Sequence, residues 1–190
     1  MKKSIGANTF ALPTPVWVVG SYDESGAPNI MTAAWGGICC SVPPCVTVSL
    51  QKIRASYDYI LKHKAFTVSI PSTKHIAEAD YVGIFSGKKA DKFAVSGLTA
   101  VRSELVDAPY VEEFPLILEC RLIQTVDLGL HTQFIGEILD VKADEAVLGD
   151  NGLPALGKVD PFTFSPPERQ YYSIGHSIGT AFSVGAKLGK

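Results

Sequence analysis

The stretch Asn29-Ile-Met-Thr-Ala-Ala-Trp35 predicts a β-strand whose small residues leave room beside the backbone. A β-branched run from Val16 to Tyr22 precedes it, and the turn of residues 23–28, which contains Gly and Pro, joins the two segments into a hairpin. Small residues in a strand allow two interpretations. Either the strand packs tightly against a helix or a flat ligand lies over it, and the strand alone leaves both open.

Further strands are predicted where apolar residues alternate with polar ones or form short β-branched runs. They span residues 45–50, 65–70, 116–126 and 132–141. Two short helices are predicted, one over residues 57–62 with Ser56 as its N-cap and one within residues 73–82. Residues 160–167 are too rich in proline for regular structure, and the glycine-rich tail of residues 171–190 is expected to be irregular.

These elements together favour a mainly β fold. Strands dominate and no strand-helix-strand alternation is sustained, so an antiparallel barrel, closed or nearly closed, fits better than a doubly wound sheet. The Gly-x-Gly-x-x-Gly pattern of a Rossmann dinucleotide site is missing after the first strand. The length suits one domain spanning residues 1–190. The 46% of hydrophobic and 19% of charged residues predict a large buried fraction and an apolar dimer interface.

Charge and cysteine usage exclude several classes of partner. With a formal net charge of −2 and no basic stripe, no nucleic acid or membrane partner is expected. No run of about 18 apolar residues occurs, so we expect a soluble, unexported, cytoplasmic protein. The four cysteines, at positions 39, 40, 45 and 120, lack the spacing of a zinc site, so no metal is expected. Buried thiols in a reducing compartment are the simpler interpretation, and a thiol of Cys39 or Cys40 facing a redox ligand is the alternative.

A candidate anion site follows the third predicted strand. Arg54 and Ser56 lie at the start of the first predicted helix, where unpaired backbone N–H groups and the helix dipole favour negative charge. The guanidinium of Arg54 adds a bidentate, permanently charged donor, and the pair therefore predicts a phosphate site. Lys88, Lys89 and Lys92 on a later loop either add charge to the same phosphate or are simply solvated.

Four segments in series resemble the flavin reductase-like family, and in particular its flavoredoxin branch. They are Asn29–Trp35, Arg54-x-Ser56, Phe85-Ser-Gly87 with Asp91-Lys92-Phe93, and His131-Thr-Gln-Phe-Ile-Gly136. The resemblance covers most of the chain, roughly residues 15–172, and leaves residues 173–190 as a tail. It implies an FMN-binding split β-barrel, antiparallel and Greek-key-like with short peripheral helices. It also implies a homodimer with the site at or near the subunit interface.

The resemblance assigns site residues as well. It places the flavin ring and ribityl chain along two strands, at Asn29, Met31, Thr32, Ala33, Ala34, Trp35, Ser49 and Leu50. It places the phosphate at Arg54, Ser56 and Lys92, and it adds Ser86, Gly87 and Tyr172 to the cofactor-binding set. His131, the candidate catalytic residue, either donates to the flavin or a nicotinamide or caps the preceding loop. Tyr172, together with Tyr171, either covers the pocket or lies in a dimer interface.

The function that the resemblance implies is redox chemistry at bound FMN. Electrons would come from NADH, NADPH or a protein donor, so the protein would be an NAD(P)H-dependent reductase or an electron carrier with a redox protein partner. The sequence has no separate signature for a nicotinamide site and does not decide between these two. The alternative from a different class is a non-redox barrel that binds a phosphorylated or aromatic small ligand, or a structural dimer.

Overall fold

Most of the regular structure is β-sheet. The computed structural model describes residues 1–189. The strands in chain order are β1 Thr14–Pro15, β2 Trp17–Tyr22, β3 Pro28–Ala33, β4 Gly36–Ser41, β5 Pro44–Gln51, β6 Ala65–Ile70, β7 Ala100–Arg102, β8 Pro109–Val111, β9 Leu116–Asp127, β10 His131–Ala143, β11 Phe162–Ser165 and β12 Gln170–Ser173. The helices are α1 Ala55–His63, α2 Ile76–Ile84, α3 Lys92–Ser96 and α4 Leu156–Val159, and 3₁₀ turns lie at Thr73–His75, Glu145–Val147 and Val184–Gly189. Within residues 1–189, none of these helices has both the length and the apolar character needed to cross a membrane.

The largest sheet has seven strands in the order β3-β2-β6-β9-β10-β5-β4, and the neighbouring strands are antiparallel. Its two edge strands, β3 and β4, are consecutive in the chain and are joined only through Ala34 and Trp35. The link from Ala33 to Gly36 covers three Cα–Cα steps, at most about 11 Å, so the two edges of the sheet must come together in space. The sheet therefore curls into a barrel, and its edges meet without forming a β-ladder.

The contacts at this join show how the barrel closes. The backbone N–H of Ser49 on β5 donates to the carbonyl oxygen of Trp35 at 2.8 Å. Trp17 on β2 packs against Gly36 at the start of β4, where a Cβ would lie 2.5 Å from the indole ring. Only a glycine at position 36 lets the tryptophan reach across from the opposite edge.

The barrel interior is apolar and combines side chains from both halves of the sheet. Its fully buried members include Val19 of β2, Val48 of β5, Phe66 of β6 and Phe134 of β10. A second apolar cluster lies between the other side of β2 and β3, helices α2 and α3, and the three-stranded sheet of β1, β11 and β12. Strand β3 is thus covered on both faces, which holds its backbone rigidly in place for the site described below.

The mainly β, antiparallel prediction is confirmed, and the predicted strands are present within a few residues. The prediction for residues 160–167 is wrong, because β11 pairs with both β1 and β12 despite the flanking prolines. The tail is not wholly irregular either, since β12 begins at Gln170; its last residue, Lys190, lies outside the described part of the chain. Ser56 is not the N-cap of the first helix. The N-cap is Arg54, and Ser56 is buried in the first turn.

Candidate functional site

A cavity of about 440 Å³ opens between the start of α1, the N-terminal end of β3 and the loop that follows α2. Four basic side chains line it: Arg54, Lys88, Lys89 and Lys92. None of the described residues that line this basic cavity is acidic. A cavity of this size with one sign of charge on its walls is suited to an anionic small molecule.

The side chains of Asn29 and Ser56 form a fixed pair in the wall of the basic cavity. Asn29 Nδ2 donates to Ser56 Oγ at 2.9 Å, and both residues are buried. A serine hydroxyl that accepts one hydrogen bond keeps its own proton for another partner. Asn29 Oδ1 is buried and accepts no hydrogen bond from the described residues. The pair therefore leaves a donor on Ser56 and an acceptor on Asn29 unused.

Gly87 brings the loop after α2 onto this pair. A Cβ at position 87 would stand 1.9 Å from Asn29 Oδ1, so only glycine allows the loop backbone to come this close. Ser86 and Lys88 on either side of Gly87 line the basic cavity. The cavity is thus closed on this side by backbone rather than by a side chain.

Lys92 is the most buried charge at the site, with 4% of its surface exposed. Its Nζ donates to the carbonyl oxygens of Ile30 at 2.8 Å and Val82 at 2.7 Å, which ties β3 to α2. Burial, and then the nearby charge of Arg54, lower the pKa of Lys92 to about 8. An ammonium has three N–H donors, so one remains for a ligand in the basic cavity.

Arg54 stands at the mouth of the basic cavity. As the N-cap of α1 it has an extended backbone, and its exposed guanidinium is held across the opening by a 3.3 Å hydrogen bond from Nη1 to the carbonyl oxygen of Gly83. The backbone N–H groups of the first helical turn have no partner within the helix, so they add to the positive potential at this point. Arg54 therefore places a charged fork beside a helix N-terminus.

Two further cavities continue from Arg54 along the link between β3 and β4. The second, about 600 Å³, is lined by Arg54, Thr32, Ala34 and Trp35 among others. The third, about 430 Å³, shares Ala34 and Trp35 with the second and adds Ser49 of β5. Because each cavity shares residues with the next, a groove runs from the basic cavity to the backbone of residues 32–35. One elongated molecule with an anionic end and a flat end matches this shape.

The structure brings most of the sequence-predicted site residues to this groove. The basic cavity contains Asn29, Met31, Arg54, Ser56, Ser86, Gly87 and Lys92. The second and third cavities contain Thr32, Ala34, Trp35 and Ser49. Ala33 and Leu50 instead point into the barrel core, so only their backbone groups are near the groove.

Two predicted site residues, His131 and Tyr172, lie outside the groove in a single chain. His131 opens β10 opposite Gln51 and is half-buried, but it does not line the three cavities. Tyr172 is exposed on β12, whereas its neighbour Tyr171 lines the second cavity. The two tyrosines differ because successive residues of a strand face opposite ways. The expectation of buried thiols is wrong for Cys39 and Cys40, which are exposed on β4, and holds for Cys45 and Cys120.

Tyr171 is fixed in the wall of the second cavity. Its hydroxyl donates to Asp80 Oδ1 at 2.7 Å, and its ring packs against Phe162 and Phe164. Burial, and then the bond to Asp80, raise the pKa of the Tyr171 phenol. The phenol therefore stays protonated and serves as a donor to Asp80.

Several cavity residues were missed by sequence reasoning. Thr9 and Phe10 belong to the extended N-terminal segment, which carries no periodic pattern, yet both line the second cavity. Arg169 reaches the same cavity from the turn between β11 and β12, and it lies between the two segments predicted to be irregular, residues 160–167 and 171–190. Gln51, the residue after the predicted strand of residues 45–50, has no role in the sequence analysis, yet it lines the basic cavity. Its position three residues before Arg54 is the one local signal that could have indicated this.

Comparison with known proteins agrees with this arrangement. A model of the flavin reductase like domain matches residues 9–163. The chain belongs to the flavin reductase-like family. Flavoredoxin of Desulfovibrio vulgaris (Miyazaki F) is 55% identical and superposes with a TM-score of 0.93 over 97% of this chain and 100% of that chain. Flavoredoxin from Methanosarcina acetivorans is 30% identical, with a TM-score of 0.93 over 99% of both chains.

A more distant structure confirms the barrel type. A putative flavin reductase with a split barrel domain from Shewanella frigidimarina is 20% identical, and it superposes with a TM-score of 0.83 over 93% of this chain and 89% of that chain. At this identity the likeness concerns the fold alone. The split-barrel prediction and the family resemblance are therefore both confirmed for this flavin reductase-like protein.

Proposed function

We propose that this protein binds FMN in the groove and transfers electrons through it. The observation that carries the proposal is the convergence of Arg54, Lys92 and Ser56 on one basic cavity that continues into the small-residue backbone of residues 32–35. The two similar solved structures at 55% and 30% identity are flavoredoxins, which supports a flavin as the ligand. When bound, the flavin supplies the redox chemistry, accepting and releasing electrons at its ring.

The residues of the basic cavity suit the phosphate of FMN. A phosphate monoester carries a charge of about −1.5 to −2 at neutral pH. Arg54 offers a planar fork, Lys92 its remaining N–H, and Ser56 the hydroxyl proton that its bond from Asn29 leaves unused. Asn29 Oδ1, a buried acceptor without a partner among the described residues, suits a hydroxyl of the ribityl chain.

The link between β3 and β4 suits the ring. Thr32 and Ala34 are small, so a planar group can lie against the backbone, and Trp35 can flank it. Backbone N–H groups near residues 32–35 would stabilise negative charge on the reduced ring, and in this way the protein would set the potential of the flavin. Thr32 is itself fixed, because its hydroxyl donates to the carbonyl oxygen of Ala79 on α2.

The electron donor is NADH, NADPH or a protein, and the second cavity is where it approaches the ring. This cavity is open and partly aromatic, with Phe10, Phe164 and Tyr171 in its walls. Anaerobic mixing of the FMN-loaded protein with NADH and with NADPH tests the reductase role. Bleaching of the flavin absorbance by either one supports a reductase. Absence of bleaching by both contradicts it and leaves a carrier that takes electrons from a protein partner.

We also propose that the protein works as a cytoplasmic homodimer. Ile123 on β9, and Leu128 and Leu130 in the turn between β9 and β10, are large apolar side chains with at least 49% of their surface exposed. Large apolar side chains exposed on one hairpin are typical of a subunit interface. Sedimentation or light scattering of the purified protein measures the mass. A monomer at micromolar concentration contradicts the proposal.

A further inference from the structure

The hairpin of β4 and β5 holds three of the four cysteines near its turn. Ser41 pairs with Pro44 across the turn, and the next pair in the ladder is Cys40 opposite Cys45. The register shifts between Ile38 and Cys40, so Cys39 is the extra residue of a bulge and has no partner on β5. The hairpin therefore selects Cys40, rather than its neighbour Cys39, as the partner of Cys45.

Directly opposite residues of an antiparallel pair satisfy the first requirement of a disulfide. Their Cα atoms are about 4.5 to 5.5 Å apart, whichever type of pair they form, and their side chains lie on the same face. Disulfides have Cα atoms about 4.4 to 6.8 Å apart. Cys40 and Cys45 thus meet the Cα separation that a disulfide requires. Adjacent Cys39 and Cys40 do not offer this geometry.

The two thiols differ in access to solvent. Cys40 is exposed, and its Sγ donates a weak 3.3 Å hydrogen bond to the carbonyl oxygen of Val42 in the turn. Cys45 is only 2% exposed. Burial raises the pKa of the Cys45 thiol, and the charges of Cys39 and Cys40, when these are ionised, raise it further. The three sulfur atoms are therefore close enough to interact electrostatically. One accessible thiol beside one sheltered thiol is the arrangement of an attacking and a resolving cysteine.

We propose that Cys40 and Cys45 form a reversible two-electron thiol–disulfide pair, a redox site separate from the flavin groove. The oxidant is a small disulfide of the glutathione class. The Cys40 thiolate attacks one sulfur of the oxidant, breaks its S–S bond and releases one thiol, which leaves a mixed disulfide on Cys40. The Cys45 thiolate then attacks the Cys40 sulfur, forms the Cys40–Cys45 bond and releases the second thiol.

Atoms, electrons and protons balance in this reaction. Two protein thiols and one small disulfide become one protein disulfide and two small thiols. The two electrons lost by Cys40 and Cys45 reduce the oxidant, and the two thiol protons end on the released thiols. The reverse reaction with two reduced thiols restores the pair. The second step is intramolecular, and the hairpin already aligns the two residues. It is therefore fast, and the mixed disulfide does not accumulate.

The experiment equilibrates the full-length protein in glutathione buffers of varied ratio, quenches with acid, and alkylates the remaining thiols under denaturing conditions. Four thiols react in the reduced protein. We expect two, Cys39 and Cys120, in the oxidised protein, with the cross-linked peptide joining residues 40 and 45. The ratio of oxidised to reduced protein should be proportional to the glutathione disulfide concentration divided by the square of the reduced glutathione concentration, since two thiols are released for each disulfide consumed.

Matched variants distinguish the pair from its neighbours. Cys40→Ser should abolish the cross-link, and because this residue is exposed the variant should fold normally. Cys39→Ser should retain the cross-link with an unchanged glutathione dependence. A stable glutathione adduct on Cys40, a cross-link through Cys39, a disulfide between two chains, or four reactive thiols in the most oxidising buffer would each overturn the proposal.

Discussion

Gly87 approaches Asn29 so closely that a Cβ at position 87 would stand 1.9 Å from Asn29 Oδ1. This approach packs the loop after α2 directly on the buried asparagine, which in turn donates to Ser56 at 2.9 Å. Three segments that are far apart in sequence are therefore locked together around the basic cavity.

Gly87→Ala should weaken FMN binding roughly tenfold to a hundredfold. The added methyl group would displace Asn29 and the loop, and this displacement would remove about one to two hydrogen bonds to a charged group of the ligand. Flavin fluorescence titration measures the dissociation constant. Gly157→Ala is the matched control, since a Cβ there meets no atom within 4 Å. Equal affinity of Gly87→Ala and the wild type would show that the contact does not shape the site.

Arg54→Ala should weaken FMN binding roughly tenfold or more and riboflavin binding much less, since only FMN has the phosphate that a charged fork can hold. Titration of both ligands against the same variant gives the two ratios. Arg121→Ala is a suitable control, because Arg121 forms a surface ion pair with Glu137 at 2.6 Å on β9 and β10. An equal loss for both ligands would mean that Arg54 acts on another part of the molecule.

FMN affinity should fall as the pH rises through about 8. Burial, and then the charge of Arg54, lower the pKa of Lys92 to about 8 in the free protein, so the ammonium is present below that pH and lost above it. A bound phosphate favours the charged form, so binding takes up a proton in this range. Titrations at a series of pH values measure the profile.

Two variants check that this pH dependence comes from Lys92. Lys92→Met should bind FMN more weakly at neutral pH and should not lose further affinity between pH 7 and 9. Lys74→Met, at an exposed lysine in the 3₁₀ turn before α2, should keep the profile of the wild type. A wild-type affinity that is flat across this range would contradict the assigned role.

Lys142→Met should lower the free energy of unfolding by about 2 kcal/mol, because it leaves the buried carboxylate of Glu119 without its counter-charge. The loss is not larger because Lys142 itself is partly exposed to solvent. Lys142 Nζ lies 3.0 Å from Glu119 Oε2, and Glu119 is fully buried. Lys52→Met removes a solvent-exposed pair with Asp127, which water and salt screen, so it should lower the free energy of unfolding much less. Denaturant unfolding of both variants measures the difference, and equal values would contradict it.

The sequence predicted those parts of the fold and the site that depend on local pattern. The hairpin of β2 and β3, the alternation of β5 and the long strands β9 and β10 all follow from residue type and spacing. The position of Arg54 and Ser56 in a cavity suited to an anion was also predictable, because the start of a helix favours negative charge. Strand β4 was missed because Gly36 and Gly37 interrupt any strand pattern. Glycine is required at position 36 only because the barrel closes there and Trp17 packs against it.

Other features depend on contacts between distant segments. The role of Ser56 as a buried partner of Asn29, rather than as a helix cap, arises where β3 passes the start of α1. Tyr171 rather than Tyr172 faces the second cavity because pairing with β11 decides which side of β12 each residue takes. Single-residue offsets of this kind cannot be read from composition or periodicity.

We propose that the groove from Arg54 to Trp35 holds FMN. The most direct measurement is the visible absorption spectrum of the purified protein, followed by equilibrium dialysis of the stripped protein against FMN. We predict a yellow protein with flavin bands and, after stripping, uptake of one FMN per chain. A colourless preparation that takes up no added FMN would contradict the account.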